Sequence, residues 1–152
     1  MRYRLYREQQ LACSIEEAWT FFSAPANLAK ITPKSMAFVV RSALDKVEIY
    51  EGMKISYTVA PLLGIPLKWT TRITQVDVLR SFTDFQESGP YKYWNHFHEF
   101  IPNAQGVLVK DTVDYELPMG FLGRLAHVVF VKNKLQEIFD FRQQVLMDRF
   151  HK

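Results

Sequence analysis

The spacing of the apolar residues changes once along this chain, at Pro118-Met119-Gly120. Before that point apolar and polar residues alternate over short runs, which is typical of β-strands. After it, apolar residues recur at steps of three and four residues up to about Phe150, which predicts one helix of about 30 residues and about 45 Å. The predicted apolar stripe of this helix comprises Leu122, Leu125, Val129, Leu135, Ile138, Phe139, Val145 and Leu146.

The chain before this helix is predicted to be mostly strands. Residues 3–13 form the first and end at Ser14-Ile15-Glu16-Glu17, a capping box that starts a short helix from Ile15 to Phe22. A second short helix begins at Pro25 and ends before Thr32-Pro33. The further strands are predicted at 36–44, 46–60, 67–79, 81–88, 93–102 and 106–117.

The connections between these strands determine the fold class. They are too short for the crossovers that parallel strands need, so the strands must form an antiparallel meander. The order predicts an α+β, helix-grip arrangement: a curved antiparallel sheet of six to seven strands around the long C-terminal helix, with two short helices after the first strand. No repeat or linker marks a boundary, so residues 1–152 are predicted to form one domain.

Charge and composition argue against several classes of protein. The net charge is +3, but Lys and Arg are scattered, so we expect no nucleic-acid partner. The N-terminus lacks the apolar core of a signal peptide, and no apolar run reaches the roughly 20 residues of a transmembrane helix. The single cysteine, Cys13, suits a reducing compartment, and we expect a cytoplasmic protein.

The segment from Tyr93 to Leu117 predicts which side chains face inward. If 103–106 is a four-residue turn, the numbers of residues paired across this hairpin sum to 209. Phe100 then lies opposite Val109, and His98 opposite Asp111. Alternation places an apolar set on one face, which we take as the buried one; this set comprises Val107, Val109, Val113, Tyr115 and Leu117.

This register also turns polar side chains inward. Trp94, His96, His98 and Phe100 face the interior, together with Asp111. Burial of a carboxylate costs several kcal/mol unless it is paired, and His98 lies directly across from Asp111, close enough to pair with it. A simple core does not need such a cluster, so the register favours a cavity.

For two charged residues outside the hairpin, the sequence leaves open whether the side chain faces the cavity. Arg142 falls inside the apolar stripe of the helix, where it either reaches polar groups in the cavity or extends to the rim. Asp84 is left out of the predicted site, because a bulge at Ser88-Gly89-Pro90 would reverse the face on which it lies.

The polar cluster allows several functions. His96 and His98 have a spacing that can chelate a metal, with Asp111 as third ligand, but hydrogen-bonded histidines are the favoured interpretation, so no metal and no cofactor are predicted. His98 and Asp111 can also orient an imidazole as a general base; the catalytic candidates are then His98, Asp111 and His96. An anchor for the polar group of a ligand and a purely structural network are the other interpretations.

Several runs of residues carry a resemblance to a known superfamily. They are Gly89-Pro90-Tyr91 with Trp94, His96, His98 and Phe100; Val113-Asp114-Tyr115-Glu116-Leu117-Pro118 with Gly120 and Gly123; and Ile138-Phe139-Asp140-Phe141-Arg142. The whole chain resembles the START-like (SRPBCC), or helix-grip, superfamily of the birch-pollen allergen and of polyketide cyclase/dehydrase and lipid-transport proteins, especially its small bacterial members of unassigned function. The resemblance implies a hydrophobic cavity between the sheet and the last helix.

Together, the inward face and the resemblance predict a protein that binds or transports a small hydrophobic ligand carrying one polar group. The alternative is an enzyme of the cyclase/dehydratase or hydrolase type that uses the His98–Asp111 pair. The apolar segment 61–67 is predicted to cover the cavity mouth, to contact a second subunit in a homodimer, to touch a membrane transiently, or to fold back over a monomer. The predicted ligand-binding residues are Trp69, Thr71, Trp94, His96, His98, Phe100, Asp111, Tyr115, Phe139 and Arg142.

Overall fold

The computed structural model describes residues 1–43, 48–61 and 64–151. Seven strands form one antiparallel sheet in the order β1-β7-β6-β5-β4-β3-β2, so β2 to β7 are a meander and β1 is added beside β7. This confirms the predicted sheet. The strands are β1 (Arg2–Leu11), β2 (Val39–Val40), β3 (Lys54–Val59), β4 (Leu67–Asp77), β5 (Ser81–Ser88), β6 (Tyr93–Asn103) and β7 (Gly106–Glu116).

The helices follow the predicted order, which confirms the α+β class. Helix α1 (Ile15–Phe22) starts where expected, and the Ser14 hydroxyl accepts a hydrogen bond from the amide of Glu17 at 3.1 Å. Two 3-10 segments follow, Pro25–Ile31 and Lys34–Met36. The C-terminal helical segment consists of α2 (Gly120–Ala126), a π turn (His127–Val131) and α3 (Lys132–Arg149). Among the described residues, none of the helices combines the length and the apolar character that a membrane span requires.

The two strands predicted after the short helices are wrong in extent. Of the described residues 36–43, only Val39–Val40 pair as a strand, because Ala37 adopts a left-handed conformation with φ of 47° after a helical turn. The strand predicted at 46–60 starts only at Lys54, since a turn with Gly52 at φ of 93° precedes it. Residues 44–47 of these two predictions lie outside the described part of the chain.

The predicted register of the last hairpin is confirmed. Phe100 pairs with Val109, His98 with Asp111 and His96 with Val113. Every second side chain is buried from Trp94 to Phe100 in β6 and along the whole of β7. The buried face packs against α3, which contributes Leu135, Phe139 and Leu146 to the core.

The apolar stripe predicted for the start of the C-terminal helix is wrong. Leu122, Leu125 and Val129 are 55%, 51% and 69% exposed. This part of the helix contacts the sheet side through Gly123 and His127 instead. A Cβ atom on Gly123 would lie 2.2 Å from the carbonyl oxygen of Pro118, so the helix approaches the preceding backbone too closely for any side chain.

Candidate functional site

A cavity of about 320 Å³ lies between the sheet, α3 and the segment from Phe21 to Val40. Its walls are mostly apolar and include Met36, Ile55 and Leu135. Seven of the ten residues predicted to bind a ligand line it: Trp69, Thr71, Trp94, His96, His98, Phe139 and Arg142. The structure therefore brings most of the predicted residues to one space.

The other three predicted residues do not line the cavity, and their placement there was wrong. Phe100 packs beneath α1, with its ring centroid 5.6 Å from that of Trp19. The Tyr115 hydroxyl lies 2.7 Å from Nε2 of His127, so it is turned toward the C-terminal helix. Asp111 is buried behind the two histidines rather than beside the open space. Inward orientation, which the register predicted correctly, does not by itself bring a side chain to the cavity wall.

The two histidines of β6 form the centre of a polar cluster. Their rings stack with centroids 3.7 Å apart. Nε2 of His96 lies 2.8 Å from Oδ1 of Asp111, and Nε2 of His98 lies 2.6 Å from Oδ2 of Asp84. The stacked imidazoles are thus held between two carboxylates, one on each side.

The predicted pair of His98 and Asp111 is present as an ion-pair contact but not as a hydrogen bond. Nδ1 of His98 lies 3.3 Å from Oδ1 of Asp111 but makes no hydrogen bond there. The partner of His98 is Asp84, which the sequence reasoning left out. One irregularity in the pairing of β4 with β5 leaves Thr74 of β4 without a partner, and the other leaves Glu87 of β5 without one. Because Glu87 lies beyond Gln86, the alternation from Phe82 through Asp84 to Gln86 is kept. Counting inward from Phe82 in steps of two would have placed Asp84 on the cavity side.

Arg142 reaches this cluster from α3. Its side chain is buried, and Nη2 donates a hydrogen bond to Oδ1 of Asp111 at 3.1 Å. The guanidinium carbon also lies 5.6 Å from the centroid of Phe139 and 5.4 Å from that of Phe22, where cation–π attraction helps to hold it. Of the two orientations left open by the sequence, the structure shows the inward one.

The cluster favours an unequal sharing of protons. Burial opposes the charged form of Asp111, but the guanidinium of Arg142 and both imidazoles outweigh it and hold the pKa of this carboxyl well below its usual range. Burial likewise opposes the charged form of Asp84, and His96 and His98 outweigh it, so the pKa of Asp84 is lowered.

The two imidazoles differ from each other. Burial and the neighbouring His98 lower the pKa of His96. Burial acts in the same direction on His98, but Asp111 and Asp84 outweigh it and raise the pKa of His98. With His98 protonated and His96 neutral, two carboxylates, one imidazolium and one guanidinium have no net charge, which is the state that a buried cluster favours.

The free energy of unfolding is expected to be highest near pH 6.5, the ordinary pKa of histidine. Above that pH the native state loses the stabilisation of protonated His98, whose pKa is raised. Below it the unfolded state takes up a proton that native His96 resists, since its pKa is lowered, and further acidification removes the contributions of Asp84 and Asp111. Urea unfolding across this pH range measures the effect. His98→Gln should flatten the alkaline side alone, and an unchanged profile in that variant would contradict the assignment.

Comparison with known proteins supports the fold rather than an activity. No protein-family model matches the chain, and no curated protein sequence does. Among solved structures, a START superfamily protein from Mycobacterium smegmatis is 13% identical, with a TM-score of 0.68 over 98% of this chain and 96% of its own. Major latex-like protein 151 from Panax ginseng is 12% identical, with a TM-score of 0.71 over 100% and 99%. A norcoclaurine synthase mutant from Thalictrum, in complex with a transition-state analogue, is 16% identical, with a TM-score of 0.67 over 98% and 96%. The chain therefore has the helix-grip fold of START-like proteins.

Proposed function

We propose that this protein binds and carries a small hydrophobic molecule that bears one polar group. The supporting observation is a mostly apolar cavity of about 320 Å³ that is bordered by the polar cluster of Asp84, His96, His98 and Arg142. This volume falls at the lower end of the usual range for small-molecule sites. An apolar body gains about 0.8 kcal/mol for each CH₂ group buried in such a space.

Two groups support an oxygen atom as the polar part of the ligand. The indole N–H of Trp69 is buried in the cavity wall and has no hydrogen-bond partner among the described residues. A buried donor left unpaired costs about 1–3 kcal/mol, which a ligand oxygen would recover. The carboxylate of Asp84 also borders the cavity and can accept a hydrogen bond. A hydroxyl group can meet either requirement, whereas a carbonyl group can meet only that of Trp69.

The alternative of a cyclase/dehydratase- or hydrolase-type enzyme lacks comparable support. A general base needs a ring nitrogen free to take a proton from the substrate. In His98 the Nε2 atom is 2.6 Å from Asp84, and the Nδ1 atom, although it makes no hydrogen bond, is buried 3.3 Å from Asp111 and out of reach of a substrate. We therefore favour a binding protein, in the cytoplasm as the single cysteine suggests.

Native mass spectrometry of freshly purified protein, followed by organic extraction, tests the proposed function. We expect a mass increase that belongs to one small apolar compound with an oxygen-containing group. Adding back the extracted compound should restore the increase at one molecule per chain. A wild-type protein that neither carries such a molecule nor takes up added hydrophobic compounds would overturn the proposal.

Membrane contact, one of the possibilities that the sequence leaves open for residues 61–67, we now propose for the C-terminal helix. Of that segment, Pro61 lines the cavity and Ile65 is 56% exposed, while residues 62–63 lie outside the described part of the chain. Six exposed apolar side chains follow β7 instead, and we call them the outer apolar face: Met119, Phe121, Leu122, Leu125, Val128 and Val129. This face adjoins the cavity, because the residues that flank it in the sequence, Leu117, Phe130 and Val131, line the cavity.

The charges beside this face favour an anionic membrane over a second copy of the chain. Between Leu117 and Gln136 there are three basic residues, Arg124, Lys132 and Lys134, and no acidic residue. Apolar side chains with neighbouring basic ones are typical of helices that lie in a membrane interface. Two copies joined through this face would instead bring like charges together. We therefore propose a monomer that takes up its ligand at an anionic membrane surface.

Replacing Phe121 or Val128 by Glu is expected to reduce binding to vesicles of phosphatidylcholine mixed with phosphatidylglycerol by at least about tenfold, because burial of one such side chain is worth about 1.5–3 kcal/mol. Co-sedimentation measures the binding. Val78→Glu is the matched control, since Val78 is 65% exposed in the β4–β5 turn, away from the outer apolar face. Equal binding by all variants, or a wild-type dimer that Phe121→Glu dissociates, would contradict the proposal.

A further inference from the structure

We propose that Asp84, His96 and His98 form a binding site for a divalent metal ion of the zinc type. Each of the three side chains offers one ligand atom, and these atoms lie within 4.8 Å of one another. From the sequence, Asp111 is the candidate third ligand, and hydrogen-bonded histidines are favoured over a metal site. The structure places Asp84 in that role and gives Asp111 a different one. This inference does not depend on the proposed function.

The distances suit one small ion. Oδ2 of Asp84 is 2.6 Å from Nε2 of His98 and 3.7 Å from Nδ1 of His96. Zinc binds nitrogen and oxygen at about 2.0–2.2 Å, so the ligand atoms of one tetrahedral ion lie about 3.4 Å apart. The observed distances lie on either side of this value, and small side-chain rotations would equalise them. The ion would replace the proton that His98 and Asp84 share.

Asp111 would orient His96 for this purpose through a hydrogen bond, and it forms an ion-pair contact with His98. Metal-binding imidazoles commonly direct their other ring nitrogen to a carboxylate, which fixes the tautomer and the ring. Here Oδ1 of Asp111 lies 2.8 Å from Nε2 of His96 and 3.3 Å from Nδ1 of His98, the two nitrogens that do not face Asp84. Arg142 holds Asp111 in place from α3. The carboxylate pair thus divides into a ligand, Asp84, and a positioning residue, Asp111.

The site would leave a coordination position open to the cavity. Asp84, His96 and His98 all line that space, whereas Asp111 does not. A metal with three protein ligands keeps a position for water or for a ligand atom. The oxygen of a carried molecule is suited to that position, and the metal would then select ligands with an oxygen donor.

The test is a titration of the full chain with Co²⁺ and Zn²⁺ after dialysis against a chelator. We expect one ion per chain, detected by visible absorption for Co²⁺ and by calorimetry for Zn²⁺. His96→Ala, His98→Ala and the nearly isosteric Asp84→Asn should each weaken binding by more than about 100-fold. Asp111→Asn should weaken it by about 10–100-fold, as expected for an outer partner of a metal site. His151→Ala is the control, because His151 is an exposed histidine that lies outside the cavity.

Wild-type protein that binds neither ion would overturn the metal site outright, whatever the folding of the variants. Binding that survives His96→Ala and His98→Ala, or that is lost in His151→Ala, would also overturn it. Circular dichroism of each variant confirms that a loss of binding is not a loss of fold. Because the ions are added without any organic ligand, a failure of this test leaves the proposed carrier function standing, and the reverse also holds.

Discussion

Replacement of Arg142 by Met is expected to lower the free energy of unfolding by about 3–5 kcal/mol. The guanidinium of Arg142 donates to Asp111 at 3.1 Å, and both side chains are buried. Methionine fills similar space but leaves the carboxylate without its cation. The remaining partners of Asp111 are the two imidazoles, of which only one favours a positive charge, so the cluster becomes net negative in a buried setting. Urea unfolding in the presence of a chelator measures the loss.

A double replacement separates the lost ion pair from lost packing. Arg142→Met with Asp111→Asn removes both charges, so it should be closer to wild type than Arg142→Met alone. Arg124→Met is the matched control on the exposed side of α2 and should change stability by no more than about 0.5 kcal/mol. A loss below about 1 kcal/mol in Arg142→Met would show that the buried pair does not hold the cluster together.

The sheet could be predicted because its constraints are local. A short turn at 103–106 fixes the register of β6 and β7, and the apolar set on β7 then shows which face is buried. The capping box at Ser14 is likewise a local signal, and the structure contains its hydrogen bond from Glu17 to the Ser14 hydroxyl. Neither prediction needs information about distant parts of the chain.

The start of the C-terminal helix could not be predicted in the same way. Periodicity identifies an apolar stripe, but it does not show whether that stripe faces the sheet or the solvent. Here the close approach of Gly123 to Pro118 and the contact of His127 with Tyr115 turn the stripe outward. The only indication in the sequence is that Gly123 and His127 share the opposite side of the helix. This signal is weak compared with the six residues of the outer apolar face.

The sequence predicts that the side chains of the candidate site face inward, but not how far each one lies from the cavity. The alternation of β6 and β7 predicts that His96, His98 and Asp111 face inward. It does not show which of these side chains borders the cavity and which is buried behind the others. Asp111 lies behind the histidines, while Asp84 comes forward from the neighbouring strand β5. The face on which Asp84 lies depends on where the bulge in β5 falls, and it falls at Glu87, beyond the part of β5 that pairs with β6.

The substitution Ala24→Trp is expected to weaken ligand affinity by about 50-fold, and thereby to lower the fraction of chains that carry the ligand. Ala24 is a small residue in the cavity wall, just before the 3-10 segment Pro25–Ile31. An indole that occupies the space of about three CH₂ groups of the ligand would cost about 2.4 kcal/mol of binding at about 0.8 kcal/mol each. Native mass spectrometry gives the fraction of chains that carry the ligand, under the same conditions as for the wild type.

The matched control for Ala24→Trp is Ala26→Trp. Ala26 lies two residues further along the same segment, is exposed, and does not line the cavity. The same alanine-to-tryptophan substitution at this position should therefore leave the ligand occupancy and the unfolding midpoint near those of the wild type. If Ala24→Trp folds normally and carries as much ligand as Ala26→Trp, the ligand does not occupy the space between the sheet and α3. The binding site would then have to be sought on the surface, where the outer apolar face is the first region to probe.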